Sequence, residues 1–407
     1  MLKLIQLHNN DCITKRRTFI FMLLLLMCFC IVYKQSEWTI VRGQWMNVSL
    51  LSLYDKNVLS NVSLIPRNYY NVTTKSPSVL RSELLILWYN KPVWINELLV
   101  NKTLGTCPYN NCFSTTNKAL FNQSASVIYL ISSGGMPRIP PISAVHRKKD
   151  QAWIFFNLEP QTLYGYNFGP EWNYVMNWSM MYHRDADIPY PYGTIELRNN
   201  SQSVLDKKNY SAIFDGKSVF ASWFVSHCHV QSRRDEYVEQ MQKYGVDIDI
   251  FGSCFKNHRS LPKNDPQKID KVLYQSKFYL AFENSFCEDY VTEKFFERFN
   301  SDTIVVVRGG INYTKYFPPG TFVNAADFGN AKKLAEFLIR FGNDKDKYTA
   351  MLRRKDMYVS TQPQLEYCKS YCKLCEMLNN VDKYRKTYKT IREYVDSKPC
   401  TAPKDIE

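Results

Sequence analysis

The chain has 407 residues, of which 45% are hydrophobic and 15% aromatic, and its formal net charge is +14. This length is enough for two domains, and the composition fits a globular protein with packed cores. The Lys and Arg residues are scattered, so the charge indicates a generally basic surface or an anionic ligand such as a sugar nucleotide. It argues against a nucleic-acid partner.

The N-terminus predicts a membrane anchor. Three basic residues at 15–17 precede an uncharged run at 18–33 (TFIFMLLLLMCFCIVY). The run is short for a bilayer core of about 30 Å, which suits the thinner membranes of the early secretory pathway. The basic flank favours a cytoplasmic N-terminus. A cleaved signal peptide is the alternative, but the end of the run offers no small residues for cleavage. We expect a cytoplasmic tail at 1–14, one uncleaved signal-anchor helix at 15–34 and a lumenal body.

Glycosylation sequons and cysteines support a lumenal body. The density of Asn-x-Ser/Thr sequons is higher than chance suggests. They begin at Asn47, Asn61, Asn71, Asn101, Asn122, Asn177, Asn199, Asn209 and Asn312. Nine cysteines follow the apolar run, and in an oxidising lumen cysteines default to disulfides. Because nine is odd, at least one of them is free or pairs between chains.

The segment at 35–80 is polar and lacks sustained periodicity, which predicts a stem that holds a catalytic body away from the membrane. Order resumes with three apolar runs, at 83–89, 125–132 and 151–159. They predict short buried strands in a mixed α/β layer.

A second unit begins near Asp206, where strands and helices alternate. Strands are predicted at 217–225, 246–251, 278–282 and 303–307, and helices at 234–244, 270–276, 292–299 and 330–341. This alternation is typical of a doubly wound, Rossmann-like parallel sheet. The chain has no GxGxxG, so dinucleotide binding is not supported. Two α/β units in tandem predict a cleft between them.

The C-terminal segment at 366–407 is a Cys-rich tail with Cys368, Cys372 and Cys375 closely spaced. A CxxC with a neighbouring Cys can bind zinc, but in the lumen a disulfide staple is favoured. Cys107 and Cys112 could supply the partners and tie the two halves together.

Reactive side chains concentrate at 277–310, where an apolar strand is followed by an amphipathic helix. They are Glu283, Asn284, Tyr290, Glu293 and Lys294. Ligands of parallel sheets bind at the carboxyl ends of the strands, where a helix start and a Lys suit a diphosphate. The sequence therefore points to a nucleotide-type ligand.

Four segments carry a resemblance to a known family. The segment FYLAFENSFCEDYVTEK at 278–294 resembles the signature of the α1,3-fucosyltransferases, glycosyltransferase family 10. Segments 176–193 (MNWSMMYHRDADIPYPYG), 224–241 (FVSHCHVQSRRDEYVEQM) and 246–254 (VDIDIFGSC) are similar to the same family. The cysteines at 228, 254 and 287 particularly resemble plant and invertebrate members.

The resemblance implies two Rossmann-like domains facing a cleft, the GT-B arrangement. Residues 81–205 would bind a glycan acceptor bearing N-acetylglucosamine, and residues 206–365 would bind the donor GDP-fucose. The implied reaction is inverting transfer of L-fucose to the 3-hydroxyl of N-acetylglucosamine, in the Golgi membrane, with no required cofactor. A divalent cation such as Mn²⁺ is not implied by a dedicated site.

Donor-binding residues follow from the same resemblance. Tyr290, Glu293 and Lys294 would hold GDP-fucose, with Lys294 neutralising a phosphate and Glu293 accepting from sugar hydroxyls. Arg234 would contact the diphosphate, although Arg233 is adjacent and the register is uncertain by one residue. The alternatives without a ligand are that Glu293 and Lys294 are solvated residues at the start of a helix, and that Arg234 is a surface residue.

Ser226 and His227 stand where the family commonly has Ser-Asn, so the hydrogen bond that Asn would supply is in doubt. Glu283 and Asn284 would point towards the cleft, or else would anchor the loop through backbone hydrogen bonds.

Glu159 is the candidate catalytic base. Inverting transfer needs a carboxylate that takes the proton of the attacking hydroxyl, and partial burial at the end of a strand would raise its pKa. The alternative is that Glu159 has no catalytic role and that its carboxylate accepts hydrogen bonds from the backbone of a turn.

Arg184 and Asp185 belong to an RDAD cluster that forms either part of the active site or an internal ion-pair network, and we predict no metal site.

Two rival functions remain, an inverting transferase that uses another nucleotide sugar and an inactive, lectin-like relative.

Overall fold

The computed structural model describes residues 38–41, 44–47, 82–132, 136–143, 146–163, 169–199, 201–255, 259, 265–361 and 363–406. The chain divides into two compact units, Met1–Ser63 and Leu64–Glu407. In the first unit, β1 (Trp38–Val41) and β2 (Gln44–Asn47) form an antiparallel hairpin, within a segment for which the sequence predicted no strand.

The predicted tail at 1–14 and signal-anchor helix at 15–34 lie outside the described residues. Within the described ranges, no helix has both the length and the apolar character needed to cross a bilayer.

Six parallel strands form the first sheet of the larger unit. They are β3 (Leu84–Trp88), β4 (Cys112–Thr115), β5 (Ser126–Leu130), β6 (Ala152–Asn157), β7 (Trp178–Met181) and β8 (Ile188–Pro189). Their order across the sheet is β4-β3-β5-β6-β7-β8. The chain places β4 on one side of β3 and β5 on the other, so a topological switch point lies between β3 and β5.

Five parallel strands form the second sheet. They are β10 (Val219–Val225), β11 (Ile248–Gly252), β12 (Ser276–Phe282), β13 (Ile304–Arg308) and β14 (Val323–Asn324). Their order is β11-β10-β12-β13-β14, which puts the switch point between β10 and β12. Open parallel sheets bind ligands at such points, outside the carboxyl ends of the strands.

Both sheets are covered on both faces, and this explains the apolar runs in the sequence. Every residue of β6 and of β13 is buried. A strand with two buried faces is apolar throughout instead of alternating. All seven predicted strands of the two sheets are confirmed within a few residues at their ends.

Eleven α-helices occur in the described ranges. They are α1 (Glu97–Leu104), α2 (Ser201–Lys207), α3 (Tyr210–Asp215), α4 (Arg234–Lys243), α5 (Pro266–Gln275), α6 (Glu293–Phe299), α7 (Tyr313–Tyr316), α8 (Ala331–Asn343), α9 (Lys345–Lys355), α10 (Pro363–Asn379) and α11 (Ile391–Asp396). Helix α5 begins four residues earlier than predicted. Asp265 caps it by accepting from the amide of Lys268, and a proline suits the first helical position.

The C-terminal part of the chain returns to the first sheet. Strand β15 (Tyr358–Ser360) pairs with β9 (Ile195–Leu197), and α10 then packs into the core of the first sheet through Tyr371 and Leu374. The segment predicted as a Cys-rich tail therefore begins as a helix that covers the first sheet.

Two disulfides fix α10 to the first sheet, Cys107–Cys372 and Cys112–Cys375. Cys368 is a correction to the predicted disulfide set. The three cysteines of α10 share one helix face, on which Cys372 and Cys375 meet Cys107 and Cys112. Among the described residues, Cys368 faces a hydroxyl instead of a third cysteine, with its Sγ 2.9 Å from the Oγ1 of Thr103. Two further disulfides join Cys228 to Cys254 and Cys287 to Cys400.

Candidate active site

The carboxyl edges of the two sheets face each other. The hydroxyl of Tyr290, which follows β12, donates to Oε2 of Glu159, which follows β6, at 2.7 Å. Nearby, the Oγ1 of Thr162 lies 2.6 Å from the Oγ of Ser285. These contacts join residues more than 120 positions apart in the chain and bring the predicted base to the predicted donor-binding segment.

Glu159 is held in a fixed turn. The side chain of Asn157 donates to the carbonyl of Glu159 at 3.0 Å and accepts from its amide at 3.3 Å. The hydroxyl of Tyr192 donates to the carbonyl of Leu158 at 2.8 Å. Burial raises the pKa of Glu159, against the opposing effects of the Tyr290 hydrogen bond and of Lys294. A carboxyl group with a raised pKa is suited to general base catalysis near neutral pH.

Lys294 is fixed at the start of α6 by three acceptors. Its Nζ lies 2.8 Å from the Oγ1 of Thr292, 3.3 Å from Glu293 and 3.3 Å from Glu283. Burial opposes the charge on Lys294, but the carboxylates of Glu283 and Glu293 outweigh burial and raise its pKa. The ammonium therefore stays charged throughout the physiological pH range.

Glu283 is an internal anchor. Its side chain is fully buried, and it accepts from the amide of Thr292 at 2.8 Å and from the Thr292 hydroxyl at 2.9 Å. Burial raises the pKa of Glu283, although the neighbouring Lys294 acts in the opposite direction. Of the two readings open from the sequence, this geometry is that of loop anchoring. Direct contact with the donor stays a prediction.

Glu293 and Tyr290 occupy contrasting surroundings. The side chain of Glu293 is 45% exposed. Burial works against its charge, but Lys294 and local hydrogen bonds hold the pKa of Glu293 below its usual value. Tyr290 is buried, its ring packs edge-on against Tyr182, and burial raises the pKa of its hydroxyl. Tyr290 is therefore a hydrogen-bond donor at any physiological pH.

The two adjacent arginines at the start of α4 differ sharply. Arg234 is buried, and its Nη1 and Nη2 donate to the carbonyls of Phe282 and His227 at 2.7 and 2.9 Å. The side chain of Arg233 is 49% exposed and pairs with Glu236 on the same helix. Arg234 thus supports the loop behind the switch point, and its buried Nε has no hydrogen-bond partner among the described residues, whereas the side chain of Arg233 is open to solvent. Contact of Arg234 with the diphosphate stays a prediction.

The remaining predicted donor contacts surround the switch point. Ser226 and His227 follow β10 and are exposed. Asn284 follows β12, is almost fully buried, and its Oδ1 has no hydrogen-bond partner among the described residues. A buried acceptor without a donor is costly, so Asn284 is well placed to receive a hydrogen bond from a ligand.

Arg184 and Asp185 have separate roles in the structure. Arg184 lies 3.2 Å from Asp289 through its Nε, stacks 3.7 Å over the ring of Tyr316, and so ties the first sheet's edge to the loop after β12. Asp185 is 61% exposed and pairs with Lys398. In the part of the chain that the structure describes, no three His, Cys, Asp or Glu side chains come together as a metal site.

Several residues of the site were not singled out from the sequence. Thr292 could have been found, because Thr directly before a helix is a favoured cap. Tyr192 and Asp289 carry no local signal, because their partners Leu158 and Arg184 are distant in sequence.

The sequons fall into three groups. Asn101 and Asn177 use their carboxamides inside the fold: Asn101 bridges to the backbone of Ser114, and Asn177 to the backbone of Trp153 and Lys386. The exposed sequons are Asn122, Asn199, Asn209 and Asn312. Asn47 lies in the hairpin of the first unit, and Asn61 and Asn71 lie outside the described residues.

The facing edges of the two parallel sheets thus hold a partly buried carboxylate, Glu159, on one side and a fixed ammonium, Lys294, on the other. Comparisons with known proteins identify the family. The family described as fucosyltransferase, N-terminal, matches residues 81–193, and glycosyltransferase family 10 (fucosyltransferase) C-term matches residues 214–394.

Individual relatives support the same assignment. The 3-galactosyl-N-acetylglucosaminide 4-alpha-L-fucosyltransferase FUT3 of Pongo pygmaeus is 30% identical over 75% of this chain and 78% of its own length. Alpha-(1,3)-fucosyltransferase C of Drosophila melanogaster is 29% identical over 67% of this chain and 66% of its own length. The protein belongs to glycosyltransferase family 10, the fucosyltransferases.

A solved structure of an alpha1,3-fucosyltransferase with GDP-fucose shares 20% identity with this chain. The alignment has a TM-score of 0.45 and covers 70% of this chain and 85% of the other. The family assignment therefore rests on the sequence comparisons.

Proposed function

We propose that the protein is an inverting α1,3-fucosyltransferase. It transfers L-fucose from GDP-fucose to the 3-hydroxyl of an N-acetylglucosamine residue in a glycoprotein or glycolipid glycan. The observation that carries the proposal is the 2.7 Å hydrogen bond between Tyr290 and Glu159, which joins a carboxylate of the first sheet to the charged helix start of the second.

The reaction needs one proton acceptor and one stabilised leaving group. Glu159 accepts the proton of the acceptor 3-hydroxyl while that oxygen bonds to C1 of fucose on the face opposite the diphosphate. The bond from C1 to the phosphate oxygen breaks, its electron pair stays with GDP, and the configuration at C1 inverts.

Positive charge for the departing diphosphate comes from Lys294 and Arg233. Lys294 is held charged by Glu283 and Glu293, and Arg233 is accessible at the start of α4. Fixed charges of this kind stabilise a leaving group without reorganisation during the reaction. The buried Oδ1 of Asn284 accepts a hydrogen bond from a hydroxyl of GDP-fucose or from an N–H of its guanine.

A donor and acceptor screen tests the proposal. The purified full chain is incubated with GDP-fucose, other GDP-sugars and UDP-sugars in turn, together with a panel of glycans, and the products are identified by mass spectrometry. A gain of one deoxyhexose with GDP-fucose alone supports the proposal. Transfer from another nucleotide sugar only, or binding of glycans without transfer from any donor, would contradict it.

We further propose that the protein is a type II membrane protein of the Golgi, with the apolar run at 18–33 as its anchor and residues 35–80 as its stem. The flanking basic residues and the exposed sequons support this topology. Protease protection of the body in sealed vesicles, with glycosidase-sensitive mass on Asn122, Asn199, Asn209 or Asn312, is the expected result. Cleavage of the body in intact vesicles would overturn the topology.

A further inference from the structure

The last ten described residues form an irregular segment that we call the strap, residues 397–406. It runs alongside the loop after β12, the signature loop, residues 283–291. The amide of Thr401 donates to the carbonyl of Phe286 at 2.7 Å, and the amide of Glu288 donates to the carbonyl of Pro399 at 3.2 Å. The Cys287–Cys400 disulfide joins the two segments covalently between these bonds. The strap therefore pairs with the signature loop as a short ladder.

The strap also contacts the loop between β10 and α4, residues 226–233. Gln231 of this loop donates from Nε2 to the carbonyl of Thr401 at 2.7 Å, and its Oε1 accepts from the amide of Phe286 at 2.8 Å. One carboxamide thus bridges the strap and the signature loop. The 226–233 loop contains two residues with left-handed backbone, His229 and Arg233, a conformation that external contacts must hold.

Near its end, the strap forms an ion pair with a buried arginine. Asp405 accepts two hydrogen bonds from Arg308 at the end of β13, from Nε at 2.8 Å and from Nη2 at 2.7 Å. The side chain of Arg308 is 1% exposed and lies between the rings of Tyr237 and Phe286, at 4.3 and 4.6 Å. Its Nη1 donates to the carbonyl of Ser232 at 2.9 Å.

Ser232 connects this ion pair to the switch point. Its hydroxyl donates to the carbonyl of Glu283 at 2.6 Å, and its amide donates to the carbonyl of Asn284. The path of contacts therefore runs from Asp405 through Arg308 and Ser232 to the end of β12. A buried guanidinium is costly without a carboxylate partner, so Asp405 decides whether Arg308 can stay at this position.

We propose that Asp405 is a positioning residue for donor binding. Through Arg308 it fixes the carbonyl of Ser232, and this contact holds the 226–233 loop against the signature loop on both sides of the donor site. Asp405 itself does not touch substrate. The proposal rests on the proposed function, because it takes GDP-fucose as the ligand of the second sheet.

The first variant is Asp405→Asn in the full chain, which keeps the shape of the side chain and removes its charge. We expect the KM for GDP-fucose and the Kd for GDP to rise by about tenfold, with kcat and the acceptor KM changed less than about twofold. Hydrogen exchange of the 226–233 and 283–291 peptides is expected to speed up in the ligand-free variant. Asp396→Asn is the matched control, because Asp396 is exposed and lies just outside the strap.

A second variant separates positioning from general stability. Arg308→Met with Asp405→Leu replaces the ion pair by apolar groups of similar size, a change that commonly restores stability. The double variant leaves the Ser232 carbonyl without the hydrogen bond from Arg308. The KM for GDP-fucose is therefore expected to stay raised even where the melting temperature recovers. A return of the donor KM to the wild-type value together with Tm would show a merely structural role and overturn the proposal.

The failures of the two proposals are distinguishable. If wild-type protein binds no GDP, the proposed function falls and the positioning role falls with it. If wild type binds GDP and Asp405→Asn has the same donor KM and the same exchange in both loops, the positioning role alone falls.

Discussion

The two sheets present opposite electrostatic surroundings at their facing edges. The first sheet offers one carboxylate, Glu159, in a setting of tyrosine hydroxyls and buried rings, where burial raises its pKa. The second offers a set of charges locked to one another, with Lys294 between Glu283 and Glu293. In the proposed reaction, Glu159 on the first sheet takes up a proton during turnover, whereas Lys294 on the second sheet keeps its charge throughout.

The two sets of surroundings suit the two tasks of the proposed reaction, which are removal of a proton and stabilisation of the departing diphosphate. A general base works best with a pKa near the working pH, which low polarity supplies. A departing diphosphate needs permanent positive charge, which paired carboxylates keep on a lysine despite its burial. Tyr290 is the point of contact, because it comes from the second half and donates to the base of the first.

The comparison is tested most severely at the base. Glu159→Gln should lower kcat for fucose transfer by about 10²–10⁴-fold, because the amide cannot take the proton of the attacking hydroxyl. The Kd for GDP, measured by calorimetry, should stay within about twofold of wild type, since the proposed GDP site lies in the other half. Glu171→Gln is the control, because Glu171 is an exposed carboxylate of the same half. Full activity of Glu159→Gln would remove Glu159 from the mechanism.

Removal of the fixed charge is the matching test on the second sheet. Lys294→Ala should raise the Kd for GDP by about 10–100-fold, because a charge-assisted contact with the diphosphate is lost. The melting temperature should fall as well, since Glu283 is left buried without its cation. Lys333→Ala, an exposed lysine at the start of α8, should leave both values unchanged. An unaltered Kd in Lys294→Ala would separate this lysine from the donor.

Substitution of Arg233 and of Arg234 in turn separates contact with the ligand from support of the 226–233 loop. Arg233→Ala should weaken GDP binding by about threefold to tenfold with little change in Tm, because its side chain is half exposed. Arg234→Ala should destabilise the fold by about 3 kcal/mol, because the buried carbonyl of Phe282 and the partly buried carbonyl of His227 lose their hydrogen-bond donors. Calorimetry and thermal unfolding of the pair distinguish the two roles. The reverse pattern would make Arg234 the ligand contact.

The smallest expected effect concerns the hydrogen bond between the halves. Tyr290→Phe removes a donor that lowers the pKa of Glu159, so this pKa rises. A base is active only when deprotonated, so the acidic limb of the kcat/KM profile should move to higher pH, by about 0.5–1 unit. A Tyr192→Phe variant is the control, because Tyr192 donates to the backbone of Leu158 instead of to the carboxylate. A limb that stays in place or moves to lower pH would contradict the assignment.

Much of the fold is visible in the sequence because parallel strands are buried on both faces. Strands β6 and β13 are apolar throughout, and such runs are hard to miss. Four strands of the two sheets were not predicted: the four-residue strands β4 (CFST) and β7 (WSMM) and the two-residue strands β8 and β14. Such short segments have no recognisable pattern.

The site was only partly predictable. Glu159 and Tyr290 could each be placed at the end of a strand, but their hydrogen bond joins positions 131 residues apart. Burial decides which of Arg233 and Arg234 is accessible, and a one-residue uncertainty in the start of a helix hides that difference. The strap has no periodicity, and Arg308 and Asp405 are 97 residues apart, so their pairing is a property of the folded chain that no sequence pattern indicates.

Helix α10 has a consequence for the order of biosynthesis. Cys372 and Cys375 lie 265 and 263 residues after the cysteines with which they pair. A ribosome completes the first sheet long before these partners are made. If the body folds in an oxidising lumen, as we propose, Cys107 and Cys112 reach their native partners only after α10 has been made, and until then they are thiols or members of temporary disulfides that exchange later.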